Sequence, residues 1–226
     1  LGEARGYFQP LGDDHCAVFV DESLDTLLVS FETVDAARHG NPAGLPYPMT
    51  IAERFGWSHL TLFARKPTWF RADPVYRYFD RLVDEGFLED FDRVIFYGAG
   101  SCGYAAAAFS VAAPGATVIA LSPQATLDPW MAEWDDRFTH MRRVSFTDRY
   151  GYAPDMIDAA EQAFIVYDPL VELDAMHAAL FRTPNAHRIR FRHAGAGLAR
   201  EIIAMNALTP IFEAAGVGRL TPQVFY

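Results

Sequence analysis

The stretch VIFYGAGSCGYAAAA, Val94 to Ala108, sets a serine, a cysteine and three glycines between a β-rich apolar run and an alanine-rich helical pattern. Two chemistries need that layout. One is a strained strand-to-helix turn that presents a nucleophile and requires small residues two before and two after it. With Ser101 as nucleophile those residues are Ala99 and Gly103. The other is a phosphate cradle. Gly98, Gly100 and Gly103 satisfy G-x-G-x-x-G, and backbone amides at a helix N-terminus attract pyrophosphate.

The cradle lacks its partner. A dinucleotide site wants an acidic residue about 20 positions on, ending the next strand, to hold the ribose hydroxyls. Here that strand ends in Ser122, with no Arg or Lys beside it for a 2′-phosphate. The turn also follows several earlier strands, whereas the fingerprint normally opens its domain. NAD(P) binding through Gly98, Gly100 and Gly103 is therefore the weakest reading, and no cofactor is expected. The nucleophile reading does find partners. Acyl transfer by a serine needs an imidazole as base and a carboxylate to orient it. Asp168 ends AFIVYD and His193 ends RIRFRH, in the chain order serine, acid, histidine.

The elements that must position these residues read as follows. Short β-rich runs span Cys16 to Val20, Thr26 to Glu32, His59 to Ala64, Arg93 to Gly98, Thr117 to Ser122, Ala163 to Asp168 and Arg188 to His193. Most are apolar on both faces, as strands covered by helices on two sides are. Helical patterns alternate with the later ones. DPVYRYFDRLVDEG opens with Asp73 as a cap before Pro74 and stops at Gly86, and others follow the turn and the last two strands. Strand alternating with helix predicts an α/β, doubly wound, mostly parallel sheet with helices on both faces. The opening strands predict an antiparallel edge hairpin near the N-terminus. Strand ends then share one edge, where ligand sites form. The whole chain, 1–226, reads as one domain, with a short lid-like insertion at about 128–162. The Pro/Gly-rich loop Arg38 to Thr50 reads as a cover over a site.

Composition narrows the function. With 226 residues, 51% hydrophobic and a formal net charge of -10, the chain carries no clustered basic surface for nucleic acid. It holds no apolar run of membrane-spanning length and no signal peptide, so a cytoplasmic setting and no membrane partner are expected. It opens on Leu1 rather than Met, which leaves a preceding segment open. Cys16 and Cys102 form neither a disulfide framework nor a zinc set, and no metal ligand spacing is evident.

Taken together, LLVSFE, SHLTLFARKPTWF, DRVIFYGAGSCGYAAAA, ALSPQATLDP, FIVYDP and RFRH resemble the α/β-hydrolase superfamily, and in it a group of compact bacterial hydrolase-like proteins. The resemblance covers about Thr26 to Leu208. Such proteins usually read Gly-x-Ser-x-Gly-Gly-Tyr at the elbow, and GAGSCGY aligns without a gap. Gly98, Gly103 and Tyr104 then match, while Gly100 falls on the nucleophile and Ser101 on the residue after it. Two registers follow: Ser101 as nucleophile in a turn slipped by one residue, or a degenerate elbow in which Ser101 lends only its backbone amide. Cys102 is a poor third choice, because Tyr104 would then stand where a small residue is needed.

In the first register His193 takes the Ser101 proton, Asp168 orients the imidazole, and the oxyanion is held by the Cys102 N–H with one from Phe31 or Glu32. That is a serine-type acyl hydrolase or acyltransferase acting on a small ester or acyl substrate. In the second the protein is a non-catalytic hydrolase-fold binder of a small ligand or partner. Each residue has a blander role as well. Ser101 caps a helix, Asp168 before Pro169 starts a turn, His193 is solvated beside Arg192, and Asp174 is a surface carboxylate. Gln124 is expected near the cleft, Arg65, Lys66 and Trp69 at its border or packed inward, and WDDRFTHMRR on a surface helix.

Overall fold

The computed structural model describes residues 5–40 and 44–226. Eight strands form a single sheet: β1 (Arg5–Leu11), β2 (His15–Asp21), β3 (Thr26–Thr33), β4 (Ser58–Ala64), β5 (Arg93–Ala99), β6 (Thr117–Leu121), β7 (Gln162–Tyr167) and β8 (Ala186–Arg190), in the order β1-β2-β4-β3-β5-β6-β7-β8. The pairings β1–β2 and β2–β4 are antiparallel and all the others parallel. The helices are α1 (Val34–Gly40), α2 (Tyr47–Phe55), α3 (Asp73–Asp84), α4 (Ser101–Phe109), α5 (Pro129–Ala132), α6 (Ala153–Met156), α7 (Glu172–Ala178), α8 (Leu198–Ala204) and α9 (Leu208–Gly216). The doubly wound α/β architecture expected from the sequence is present. Among the described residues no helix is long and apolar enough to cross a membrane.

The edge hairpin is there, but its strands differ from those expected. Cys16 to Val20 pairs with Arg5–Leu11 and with β4, whereas Thr26–Thr33 lies inside the parallel sheet between β4 and β5. β1 escapes a pattern reading because it is mostly exposed, contains Gly6, and carries Pro10, which only an edge strand tolerates.

Alternating side chains feed two cores, as a sheet covered on both faces requires. On β3, Leu27, Val29 and Phe31 join the larger core with α3 and α4, while Leu28 joins the other with α2, α8 and α9. On β5, Val94 and Phe96 face the first core and Ile95 and Tyr97 the second. α4 is buried all round, and its run Ala105 to Ala108 lets it sit against the sheet without bulk. Gly98 and Gly103 make that approach closer still. A Cβ on Gly98 would lie 2.1 Å from the Cys102 carbonyl oxygen, and one on Gly103 would lie 3.1 Å from the carbonyl oxygens of Gly98 and Leu121. These two glycines of the G-x-G-x-x-G pattern are thus required by helix-on-strand contact, with no need to invoke pyrophosphate.

α3 begins at Asp73, so its cap falls one residue earlier than expected. Ala72 is the N-cap and Asp73 stands in the first turn, where a carboxylate favours the helix dipole. Between β6 and β7 the chain forms α5, a 3-10 turn over Thr139–Arg143, and α6. Asp128 caps α5, its Oδ1 accepting the Trp130 N–H at 3.1 Å. Of WDDRFTHMRR, Thr139–Arg143 forms a mostly exposed 3-10 turn, and the departure from a surface helix is Asp135, which turns inward into a clamp. Asp135 is 3% exposed and is held by Arg137 at 2.8 Å and by the His177 Nε2–H at 2.9 Å. Arg137 also reaches Asp174 at 2.7 Å, so Asp174 is a buried ion-pair partner rather than a surface carboxylate. Nδ1 of His177 accepts the Ala125 N–H at 3.2 Å, which fixes its proton on Nε2. Burial opposes the charge on Asp135, but the hydrogen bonds from His177 and Arg137 outweigh it and hold the carboxyl well below the ordinary range. A second clamp, Arg71, donates to the carbonyls of Ser145 and Arg149 and pairs with Asp148.

Candidate functional site

β5 ends at Ala99, and Gly100 turns the chain with φ 58° and ψ −121° before α4 begins at Ser101. The turn is held from both sides. The Gly100 N–H donates to the Leu121 carbonyl at 2.8 Å, and the Tyr104 N–H donates to the Gly100 carbonyl at 2.9 Å. A Cβ on Gly100 would meet nothing within 4 Å, so the apex opens onto free space. The positive φ is unfavourable for any residue with a side chain, and glycine takes it without strain. Ser101 is the first helical residue. The N–H groups of Ser101, Cys102 and Gly103 have no partner within the helix, and no side chain caps this end.

The apex faces a cavity of about 690 Å³, whose lining includes Phe31, Glu32, Gly100, Ser101, Cys102 and Gln124. Six positions singled out in the sequence therefore meet at one opening. Its other walls are mostly apolar: Trp69, Tyr97, Phe138, Leu45, Pro46 and Tyr47. The described end of the loop Arg38 to Thr50 thus does border the site; residues 41–43 lie outside the described chain. Trp69 is 1% exposed, packs edge-on against Phe138 at 4.8 Å, and donates its indole N–H to Gln124 Oε1 at 2.9 Å. Arg65 and Lys66 are exposed and lie outside the lining, so of that trio Trp69 alone reaches the cavity.

Glu32 sits near the carboxyl end of β3. Its Oε1 accepts the Thr33 N–H at 3.0 Å, and no basic side chain pairs with it among the described residues. Burial pushes its carboxyl up to about 7, with the Thr33 hydrogen bond acting weakly against it. Burial, with the Glu32 charge added, also raises the Tyr97 phenol and carries the Cys102 thiol well above its ordinary value. Cys102 therefore stays a thiol in the residue next to Ser101. Both cysteines are free.

Asp168 and His193 form a neighbouring group. Asp168, the residue after β7, is 1% exposed; its Oδ1 accepts the Leu170 N–H at 2.9 Å and its Oδ2 the Gly195 N–H at 2.7 Å. Burial opposes ionisation, yet the backbone N–H groups of Leu170, Gly195 and Ala194 and the nearby His193 hold the carboxyl below its usual value. The chain leaves the sheet earlier than expected. β8 ends at Arg190, the Phe191 N–H makes one more bond to the Tyr167 carbonyl at 2.8 Å, and His193 then turns with φ 70°. His193 is exposed, and Asp168 grips the backbone just beyond it. Neither residue lines the cavity.

No protein-family profile matches the sequence, and no curated protein sequence matches it. Solved structures do. An esterase from Pyrobaculum calidifontis superposes with a TM-score of 0.57 at 13% identity, covering 98% of this chain and 87% of the other. A carboxylesterase from Lactobacillus plantarum gives 0.58 at 12% identity, covering 97% and 99%. A Glycosylation Associate Protein complex from Streptococcus agalactiae gives 0.62 at 12% identity, covering 98% of this chain and 48% of the longer one. The chain has the α/β-hydrolase fold.

β5 and α4 are joined by a tight strand-to-helix turn with Gly100 at its apex. Sequence reasoning missed Tyr47, Tyr97 and Phe138. Tyr97 was within reach, because it lies three residues before Gly100 on a strand whose alternation is legible; Phe138 comes from an irregular insertion and left no signal.

Proposed function

We propose that this hydrolase-fold protein binds a small, largely apolar carbonyl compound in the cavity and forms no acyl-enzyme on Gly100. The carbonyl oxygen rests on the free N–H groups at the start of α4, which suit a partial negative charge. The observation that carries the reading is the glycine at the apex. A nucleophile needs a side chain there, and Gly100 has none.

A second reading is favoured by a different observation: Ser101 lines the same cavity. There Ser101 Oγ attacks an ester or thioester carbonyl, His193 accepts its proton and returns it to the leaving group, and Asp168 fixes the loop that carries His193. That is acyl hydrolysis or acyl transfer; the Pyrobaculum calidifontis and Lactobacillus plantarum proteins that share the fold are an esterase and a carboxylesterase. It requires the His193 ring to reach Ser101 from outside the cavity lining.

A fluorophosphonate probe separates the two. The binding reading expects no labelling of the native protein, no turnover of p-nitrophenyl acetate, and new labelling in Gly100→Ser, where the added side chain has room. Labelling of the native protein that disappears in Ser101→Ala overturns it in favour of the second.

A further inference from the structure

Glu32 is the one carboxyl in the cavity lining, and among the described residues no basic side chain pairs with it. Thr33 occupies Glu32 Oε1 at 3.0 Å, which leaves Oε2 for whatever enters. The other titratable or charged groups around the cavity do not answer it. Tyr97 on β5 and Cys102 on α4 keep their protons, both being raised by burial and by Glu32 itself. The Tyr47 hydroxyl on α2 is paired with Thr209 Oγ1 at 3.2 Å. Arg200 on α8 is exposed at the rim and leans on Glu201 at 3.3 Å. The rest of the wall is aromatic or aliphatic apart from the uncharged Thr33, Ser101 and Gln124, the last of which accepts the Trp69 indole N–H.

A carboxyl with no basic partner among the described residues, in a wall that includes Trp69, Tyr97 and Tyr47, is complementary to an organic cation. Aromatic rings attract an ammonium group through their quadrupoles, and desolvation strengthens that attraction. The carboxylate supplies the full countercharge that burial otherwise makes expensive. We infer that Glu32 selects the ligand and that the ligand is a small primary amine with an apolar body, its ammonium on Glu32. This rests on the binding reading above and names its ligand class. The nitrogen end meets Glu32 while an acceptor oxygen, where the ligand has one, meets the start of α4. The two ends of the site are thus electrically opposite, which orients the guest.

The consequence for pH has a definite sign. An alkylammonium keeps its charge at neutral pH, as a lysine side chain does. Glu32 ionises at about 7, so the competent form of the cavity grows as pH rises. Affinity for the amine should increase about tenfold between pH 6 and pH 8, with up to one proton released per ligand bound. A neutral or anionic ligand should show no such gain.

Isothermal titration calorimetry of the full chain with 3-phenylpropylamine, 3-phenylpropan-1-ol and 3-phenylpropanoate, at pH 6 and 8 and in two buffers of different ionisation enthalpy, tests this. The expected result is tightest binding by the amine at pH 8, proton release on binding, and loss of both preference and proton release in Glu32→Gln. Equal binding of amine and alcohol, or tighter binding of the carboxylate, overturns the inference while leaving the binding reading standing. Binding of none of the three overturns the inference; the binding reading falls separately, by fluorophosphonate labelling of the native protein that disappears in Ser101→Ala. An unchanged amine preference in folded Glu32→Gln shows that another group selects the ligand.

Discussion

The cavity at Gly100 and the clamp around Arg137 are both built on segments that leave the carboxyl ends of parallel strands, yet they treat polar groups in opposite ways. In the clamp every charge is answered. Asp135 takes bonds from Arg137 and His177, Asp174 takes one from Arg137, and the His177 ring uses both nitrogens. In the cavity, among the described residues, Glu32 pairs with no basic side chain, the α4 start that lines it at Ser101 and Cys102 has no side-chain cap, and the apex has no side chain. A satisfied polar network fixes a segment in place; an unsatisfied one is held open for something outside the chain. The difference supports the proposed binding site: the insertion between β6 and β7 is fastened down by the clamp, whereas the ends of β3 and β5 present Glu32 and the glycine turn to the cavity.

That contrast can be broken from the clamp side first. Arg137→Leu leaves Asp135 and Asp174 buried without their common cation, and a loss of about 3 kcal/mol of unfolding free energy is expected, read by urea denaturation. A change below about 1 kcal/mol would place the clamp among ordinary surface pairs. Gly98→Ala comes next. Its Cβ would collide with the Cys102 carbonyl, so α4 must shift and about 1–3 kcal/mol is lost, with the cavity deformed as well.

The smallest effect sharpens the cavity side. Glu32 is raised to about 7, so between the ordinary carboxyl value and that pH the folded chain keeps a proton that the unfolded chain has released. Stability attributable to this group therefore falls as pH rises through that window. Glu32→Gln should be more stable than the native protein at pH 8 by about 1–2 kcal/mol, discounted for its partial exposure, and not at pH 4. Thermal unfolding at the two pH values checks it; a destabilised variant at pH 8 would mean that Glu32 is already paired.

Much of this protein was legible because the parallel strands are short, apolar on both faces and separated by helical patterns. β5, α4 and the small residues that join them were readable for a local reason, since steric demands within a few residues dictate glycine or alanine there. The order of Asp168 and His193 along the chain was readable too. Other features depend on residues far apart in sequence. β1 became a strand only by pairing with β2, and its exposed face leaves no hydrophobic alternation to read. Asp135 and Asp174 looked like surface charges because their common partner, Arg137, binds across a gap that no spacing rule spans.

The sequence by itself determined the doubly wound sheet and the presence of a tight glycine turn before a small-residue helix, because backbone sterics and side-chain alternation act between near neighbours. Only the tertiary structure decided which residue of GAGSCGY takes the apex. It also decided that Glu32 lines a cavity with no basic partner among the described residues, and that Asp168 grips the loop bearing His193. Those facts depend on how separate strands and loops come together in space, and burial and pairing are set there.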